Sequence, residues 1–277
     1  MDTHADLKPP LTEVCGHLTS VVIGGLPIDI HSADPDFIAM LERRYAGFVA
    51  THAHGGIRLD VEVVAAVGDR DDEDLVVRYV DGRWKIERGD FRANWNPVSM
   101  RGSVRQGSYP YAIDSVMRIV HSLVLAERGG FLVHSASAVR NRRAFLFSGV
   151  SGAGKTTISR LAPPDVTLLT DEISYVCRTG DGYRAFGTPF AGDLDKAGMN
   201  ISAPIAGLYL LAQGRHNHAE LVPSAGAARR LLRNILFFAD DSALVERLFR
   251  TACEFVLQVP VYELTFQPEA EVWNLIE

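Results

Sequence analysis

The stretch "FLFSGVSGAGKTTISRL", Phe145 to Leu161, decides how the chain is read. An apolar run, Ala144 to Phe147, leads into Gly149-Val150-Ser151-Gly152-Ala153-Gly154-Lys155-Thr156, which satisfies G-x-x-x-x-G-K-[ST]. A helix-compatible segment, Thr156 to Leu161, follows. Glycines let successive backbone N–H groups converge on one point, and the start of the helix adds positive potential. Strand, loop and helix together predict a polyphosphate site. Lys155 is placed to reach the β- and γ-phosphates. The Thr156 hydroxyl is placed to help hold Mg²⁺, and Thr157 extends the phosphate-binding set.

The flanking segments narrow the chemistry. Pro163-Pro164 ends the helix after barely two turns, because proline lacks the N–H and clashes with the preceding turn. "VTLLTDE" then predicts a short buried strand, Val166 to Leu169, that delivers Asp171 and Glu172 at its C-terminal end. In an open α/β sheet that end faces the same crevice as the phosphate loop. One carboxylate there can bind Mg²⁺ while its neighbour takes a proton from an attacking hydroxyl. Asp171 and Glu172 are therefore candidate catalytic residues and, with Thr156, candidate metal ligands; the alternative is a solvated acidic turn. Upstream, "FLVHSASAV" and "AFLFSGV" predict a hairpin turning at Asn141-Arg142, a register that sets His134 opposite Gly149. His134 then either serves the phosphates, as proton shuttle or donor, or is a core histidine bonded to backbone.

Composition sets outer bounds. With 277 residues, 47% hydrophobic and 22% charged, the chain reads as globular, with room for one large domain or two modest ones. A net charge of −6 argues against a general nucleic-acid or anionic-membrane surface. Cys15, Cys177 and Cys253 are odd in number and far apart, matching neither a disulfide framework nor a zinc spacing. No signal pattern or long apolar window is present, so a cytoplasmic protein with no membrane partner is expected.

Residues 1–110 read as a β-rich unit. A strand pair flanks Gly24-Gly25, a helix starts near Asp34 or Asp36, "IRLDVEVVAAV" alternates as a strand, and Asp81-Gly82 turns a hairpin. "DRDDEDL", Asp69 to Leu75, lacks the pattern of a calcium loop and reads as a solvated turn. Residues 111–277 form the second unit. It opens with a helix from about Asp114 to Gly129-Gly130 and later carries a buried strand, Pro204 to Ala212. Helices are predicted from Ser224, as cap, to about Phe238 and from Asp241 to about Leu257, followed by the strand "VPVYELTF" and a closing helix in "PEAEVWNLI".

The run "GGFLVHSASAVRNRRAFLFSGVSGAGKTTISRLAPPDVTLLTDEISYV", Gly129 to Val176, resembles the kinase core of the HPr kinase/phosphorylase family, related to ATP-dependent phosphoenolpyruvate carboxykinases. The resemblance implies an α/β (α+β) fold with a P-loop kinase core of that type; the smaller β-rich N-terminal domain carries no matching motif and is expected to serve acceptor recognition. It also implies Mg²⁺-dependent transfer of the γ-phosphoryl of ATP to a serine-type hydroxyl of a small molecule, peptide or protein, and a homo-oligomer. By position, Lys155 and Thr156 match the cradle lysine and hydroxyl, and His134 the family's histidine. Asp171 and Glu172 match its acid pair, with Glu where the family carries a second Asp. Thr188, Asp193 and Lys196, after a Gly-Thr-Pro turn, and Arg229, Arg230 and Arg233, on one helix, are further candidates for the acceptor or the phosphates. The rival reading is a nucleotide-binding regulatory or scaffold protein without transfer, against which the paired acids argue.

Overall fold

The computed structural model describes residues 16–51, 55–65, 74–190, 192, 194 and 198–276. Cys15, the acidic residues Asp69 to Glu73, Asp193 and Lys196 lie outside the described residues. The fold is mixed α/β, mostly strands, built on two mixed sheets.

The first sheet has seven strands: β1 (His17–Ile23), β2 (Leu26–Ser32), β3 (Ile57–Val63), β4 (Val76–Val80), β5 (Arg83–Arg88), β6 (Phe91–Asn96) and β7 (Arg101–Gln106). Their order is β1-β2-β3-β7-β6-β5-β4, with β2, β3 and β7 mutually parallel. The two-residue turns fall where expected, and Gly24, Gly25, Asp81 and Gly82 all have positive φ, matching the twist of the strands they join. Alternation along most of its strands gives this sheet one apolar face and one charged face. Helix α1 (Pro35–Arg44) covers the apolar face, with Asp34 capping the Asp36 and Phe37 amides.

Helix α2 (Tyr111–Arg128) lies between the two sheets and is buried on nearly every side. It starts three residues ahead of Asp114 and stops at Gly129, whose left-handed φ of 73° ends the helix. Buried Asp114 accepts from Arg44 and from the Tyr45 hydroxyl, tying α2 to the end of α1. The largest buried cluster accordingly runs from β1 through α2 to Leu132 and Tyr175.

The second sheet has nine strands: β8 (Gly130–Arg140), β9 (Arg143–Ser148), β10 (Thr167–Thr170), β11 (Ile173–Thr179), β12 (Gly182–Phe186), β13 (Ser202–Gln213), β14 (His218–Leu221), β15 (Ile235–Leu236) and β16 (Val261–Phe266). The open α/β sheet expected from the sequence is corrected. The pairings β8–β11, β11–β12, β12–β13, β13–β9 and β9–β8 close a ring. Long β8 makes this possible by changing neighbours midway. Its first half pairs with β11 and β15, its second half with β9 and β10.

Three helices complete the unit: α3 (Lys155–Arg160), α4 (Ser224–Leu232) and α5 (Ser242–Gln258, capped by Asp241). Two expectations fail here. Helix α4 has Pro223 rather than Ser224 at its cap position and stops at Leu232, because Asn234 turns the chain into β15. The closing segment, Ala270–Leu275, is a 3-10 helix where an α-helix was expected. Among the described residues no helix is long and apolar enough to cross a membrane.

Candidate functional site

The β8–β9 hairpin turns at Asn141 and Arg142, both with positive φ, and pairs Ser135 with Ser148. Extending that register by one step sets His134 beside Gly149, where the glycine-rich loop leaves the sheet. The Ser148 hydroxyl donates to the His134 carbonyl at 3.0 Å, fixing the two strand ends together.

On the other side of β8 the acid pair occupies a break in a strand. Thr170 stands opposite Ser137 and Ile173 opposite His134, three residues apart on both strands, so β11 continues the line of β10. Only Asp171 and Glu172 lie between them. A register shift between Leu168 and Thr170 marks the same place, the irregularity by which sheets re-aim side chains next to functional sites. Both β9 and β10 run antiparallel to β8, so the loop after β9 and the acids after β10 arrive at the same edge, with His134 between them.

The result is a polar cavity of about 300 Å³ lined by His134, Ser151, Gly152, Gly154, Lys155, Thr156, Thr157, Asp171, Glu172 and Gly192. Gly152 (φ 78°) and Gly154 (φ 109°) take left-handed conformations that side chains rarely adopt, and a Cβ on Gly154 would meet the Phe266 ring at 2.7 Å. Gln213 anchors the loop by donating to the Gly152 carbonyl at 2.8 Å. Lys155 is largely buried, its Nζ 3.0 Å from the Gly149 carbonyl and 3.3 Å from that of Val150. Ala153 is buried beneath the loop, its N–H donating to the Val150 carbonyl.

Asp171 is buried, and each carboxylate oxygen accepts a backbone N–H at 2.9 Å, Oδ1 from Gly192 and Oδ2 from Leu194. Thr170 Oγ1 accepts from the amides of Glu172 and Ile173 and donates to the Phe190 carbonyl. Buried Thr188 donates to the Ile173 carbonyl at 2.8 Å, so it stitches the loop after β12 to the acid turn and does not line the cavity. Glu172 lies 3.6 Å from the guanidinium of Arg118, a residue of α2 that sequence reasoning missed. A signal existed: Arg118 is the charged interruption in the apolar run "VMRIVHSLVL".

His134 is held below the ordinary histidine range, first by burial, then by the nearby cations Lys155 and Arg118, against a hydrogen bond with the Glu172 backbone that pulls upward. The imidazole is thus kept neutral near pH 7. Arg229, Arg230 and Arg233 are not brought to the cavity, and Arg230 pairs with Glu263 of β16.

The residues fit a nucleoside triphosphate with Mg²⁺: glycines in left-handed conformations, a buried lysine, a hydroxyl and two carboxylates around one polar cavity. Among the described residues no group of three or more His, Cys, Asp or Glu side chains could hold a metal by itself. Mg²⁺ does not need one, since it is commonly held by one or two carboxylates, waters and the phosphates of its partner.

The sequence model of the SynChlorMet cassette protein ScmC matches residues 110–277. The chain belongs to the ScmC family. No curated protein matches it. The ScmC match corrects the resemblance to the HPr kinase/phosphorylase and phosphoenolpyruvate carboxykinase families. The ScmC match begins at the foot of α2 and takes in the whole nine-stranded sheet, leaving the seven-stranded sheet outside it.

Proposed function

We propose that the protein is an ATP-dependent phosphotransferase with a P-loop kinase core, moving the γ-phosphoryl group to a hydroxyl of a small molecule, peptide or protein. The convergence of Lys155, Thr156, Asp171, Glu172 and His134 on one polar cavity carries this reading. The loop amides and Lys155 would bind the phosphates, and Thr156 with the acid pair would hold Mg²⁺, which neutralises charge on the transferring group. Asp171, immobilised by two amides, keeps a lone pair on each oxygen for a proton or a cation. In the transfer the acceptor O–H loses its proton to a carboxylate, a new O–P bond forms, and the bond from the γ-phosphorus to the bridging oxygen breaks, releasing ADP. Neutral His134 can donate to or accept from the reacting oxygens.

The test is incubation with Mg²⁺ and γ-labelled ATP over a panel of serine-bearing metabolites and peptides, beside Asp171→Asn. Label on an acceptor with wild type alone supports the reading; label on none with intact ATP binding sinks it. A second reading, a nucleotide-responsive regulatory protein, draws on the engagement of both Asp171 oxygens by the loop amides, an arrangement that suits a latch as well as a base. It predicts tight nucleotide binding, no transfer, and loss of response in Asp171→Asn.

A further inference from the structure

We infer that Arg118 is a positioning residue for this site: it orients Glu172 directly and Asp171 through the loop that carries Phe190 and Gly192. The inference rests on the phosphotransfer reading for its consequence and on geometry for its substance.

Arg118, its side chain 26% exposed, projects from a helix packed mostly against apolar neighbours, where the buried part of a guanidinium carries a desolvation cost that its partners must repay. One terminal nitrogen faces Glu172 Oε2 at 3.6 Å, and the guanidinium carbon lies 4.9 Å from the Phe190 ring centroid. Its Nε is buried and, among the described residues, has no hydrogen-bond partner. An ordinary structural arginine would spend that donor, because an orphaned buried donor costs about 1–3 kcal/mol. The group is placed for the carboxylate and the ring at the expense of its own satisfaction.

The ring contact extends the reach of Arg118. The Phe190 carbonyl accepts from Thr170, and two residues on, the Gly192 amide donates to Asp171. One cation therefore touches the fixing of both acids. The charged and titratable groups nearest the pair, Lys155 and His134, stand on the phosphate side; Arg118 approaches from α2, so its attraction holds Glu172 from a different direction.

The experiment compares Arg118→Met, Arg118→Lys, Glu172→Gln and the double variant Arg118→Met/Glu172→Gln, each first checked for a native thermal transition. Supporting partners of a metal-binding group commonly contribute about 10–100-fold. Arg118→Met should lose that much in kcat, with the Kd for ATP measured in EDTA held within about threefold, since that affinity is set by the loop and Lys155. Arg118→Lys, which keeps charge and loses the planar face, should fall between. In the Glu172→Gln background the Met substitution should cost clearly less than it does in wild type, because one of its two targets is gone and only the route through Phe190 remains. Hydrogen exchange supplies a readout independent of activity: the Gly192 amide should exchange about tenfold faster in Arg118→Met, while amides of the Ala270–Leu275 segment stay unchanged. Unaltered Gly192 exchange, or a loss in the double variant equal to the product of the single losses, overturns the inference. If wild type transfers no phosphoryl group, the phosphotransfer reading fails and Gly192 exchange still decides whether Arg118 holds the loop.

Discussion

On the charged face of the seven-stranded sheet, Arg58, Asp60, Glu62, Arg92, Arg101 and Arg105 help line a hollow of about 700 Å³, while the cavity at the break between β10 and β11 measures about 300 Å³. The larger hollow follows from regularity. Strands β3 and β7 present every second residue to the same side, and neighbouring charges answer one another: Arg58 meets Asp60 at 2.9 Å, and Glu62 stands across from Arg105 at 3.8 Å. Charges laid on such a grid meet their nearest neighbours along and across the strands. The smaller cavity follows from irregularity. A strand that breaks, a strand that changes neighbours and a glycine loop bring side chains from three elements to one spot. Size alone points to the wide hollow, and convergence of side chains points to the smaller cavity.

Substitutions in the two regions should separate them, and the largest effect belongs to the smaller cavity. Lys155→Ala should lower phosphoryl transfer by about 10²–10³-fold, as removal of a preorganised donor does, measured with γ-labelled ATP. Equal transfer by that variant would end the comparison as drawn. Next is His121, buried in α2 between the sheets and packed edge-on to Tyr175, both ring nitrogens without a partner among the described residues. Burial, with a smaller push from Arg128, lowers its pKa to about 3. The unfolded chain takes this proton below the ordinary value of 6.5 and the folded chain does not until about 3, so stability is full above 6.5 and lost on acidification. At about 1.4 kcal/mol per pH unit, about 2 kcal/mol should disappear between pH 6.5 and 5 in urea unfolding, and His121→Leu should remove that part of the slope.

Smaller still is the buried Ser135–Ser174 hydrogen bond, 2.8 Å, where β8 changes partners. Ser135→Ala should cost about 1 kcal/mol in the same assay, the usual net value of one such bond. Arg105→Ala, on the charged face, marks the other limit. Both members of the Arg105–Glu62 pair are more than half exposed, and the change should fall within about 0.5 kcal/mol and leave nucleotide affinity untouched. A large effect there would show that the wide hollow has a ligand of its own.

Much of this was legible in the chain as written. Gly24-Gly25 and Asp81-Gly82 read as two-residue turns because glycine takes positive φ freely, Asn141-Arg142 because it centres the gap between two apolar runs, and all three turn hairpins. From the last of these the place of His134 beside the cradle followed by counting. The ends of α4 and of the chain were misread, since a short amphipathic pattern does not reveal where tertiary contacts cut a helix short.

By itself the sequence determined the turns, the cradle and the presence of two acids after a short strand, because backbone conformation and side-chain periodicity are settled by residues a few positions apart. Only the tertiary structure decided that the acids lie in the break of one continuous line, that Gly192 and Leu194 hold Asp171, and that Arg118 meets Glu172 and Phe190. Those contacts join positions about 20 to 70 residues apart. Their adjacency depends on how α2 packs against the sheet and how β8 shares its neighbours, a balance of burial summed over the whole core that no local pattern records.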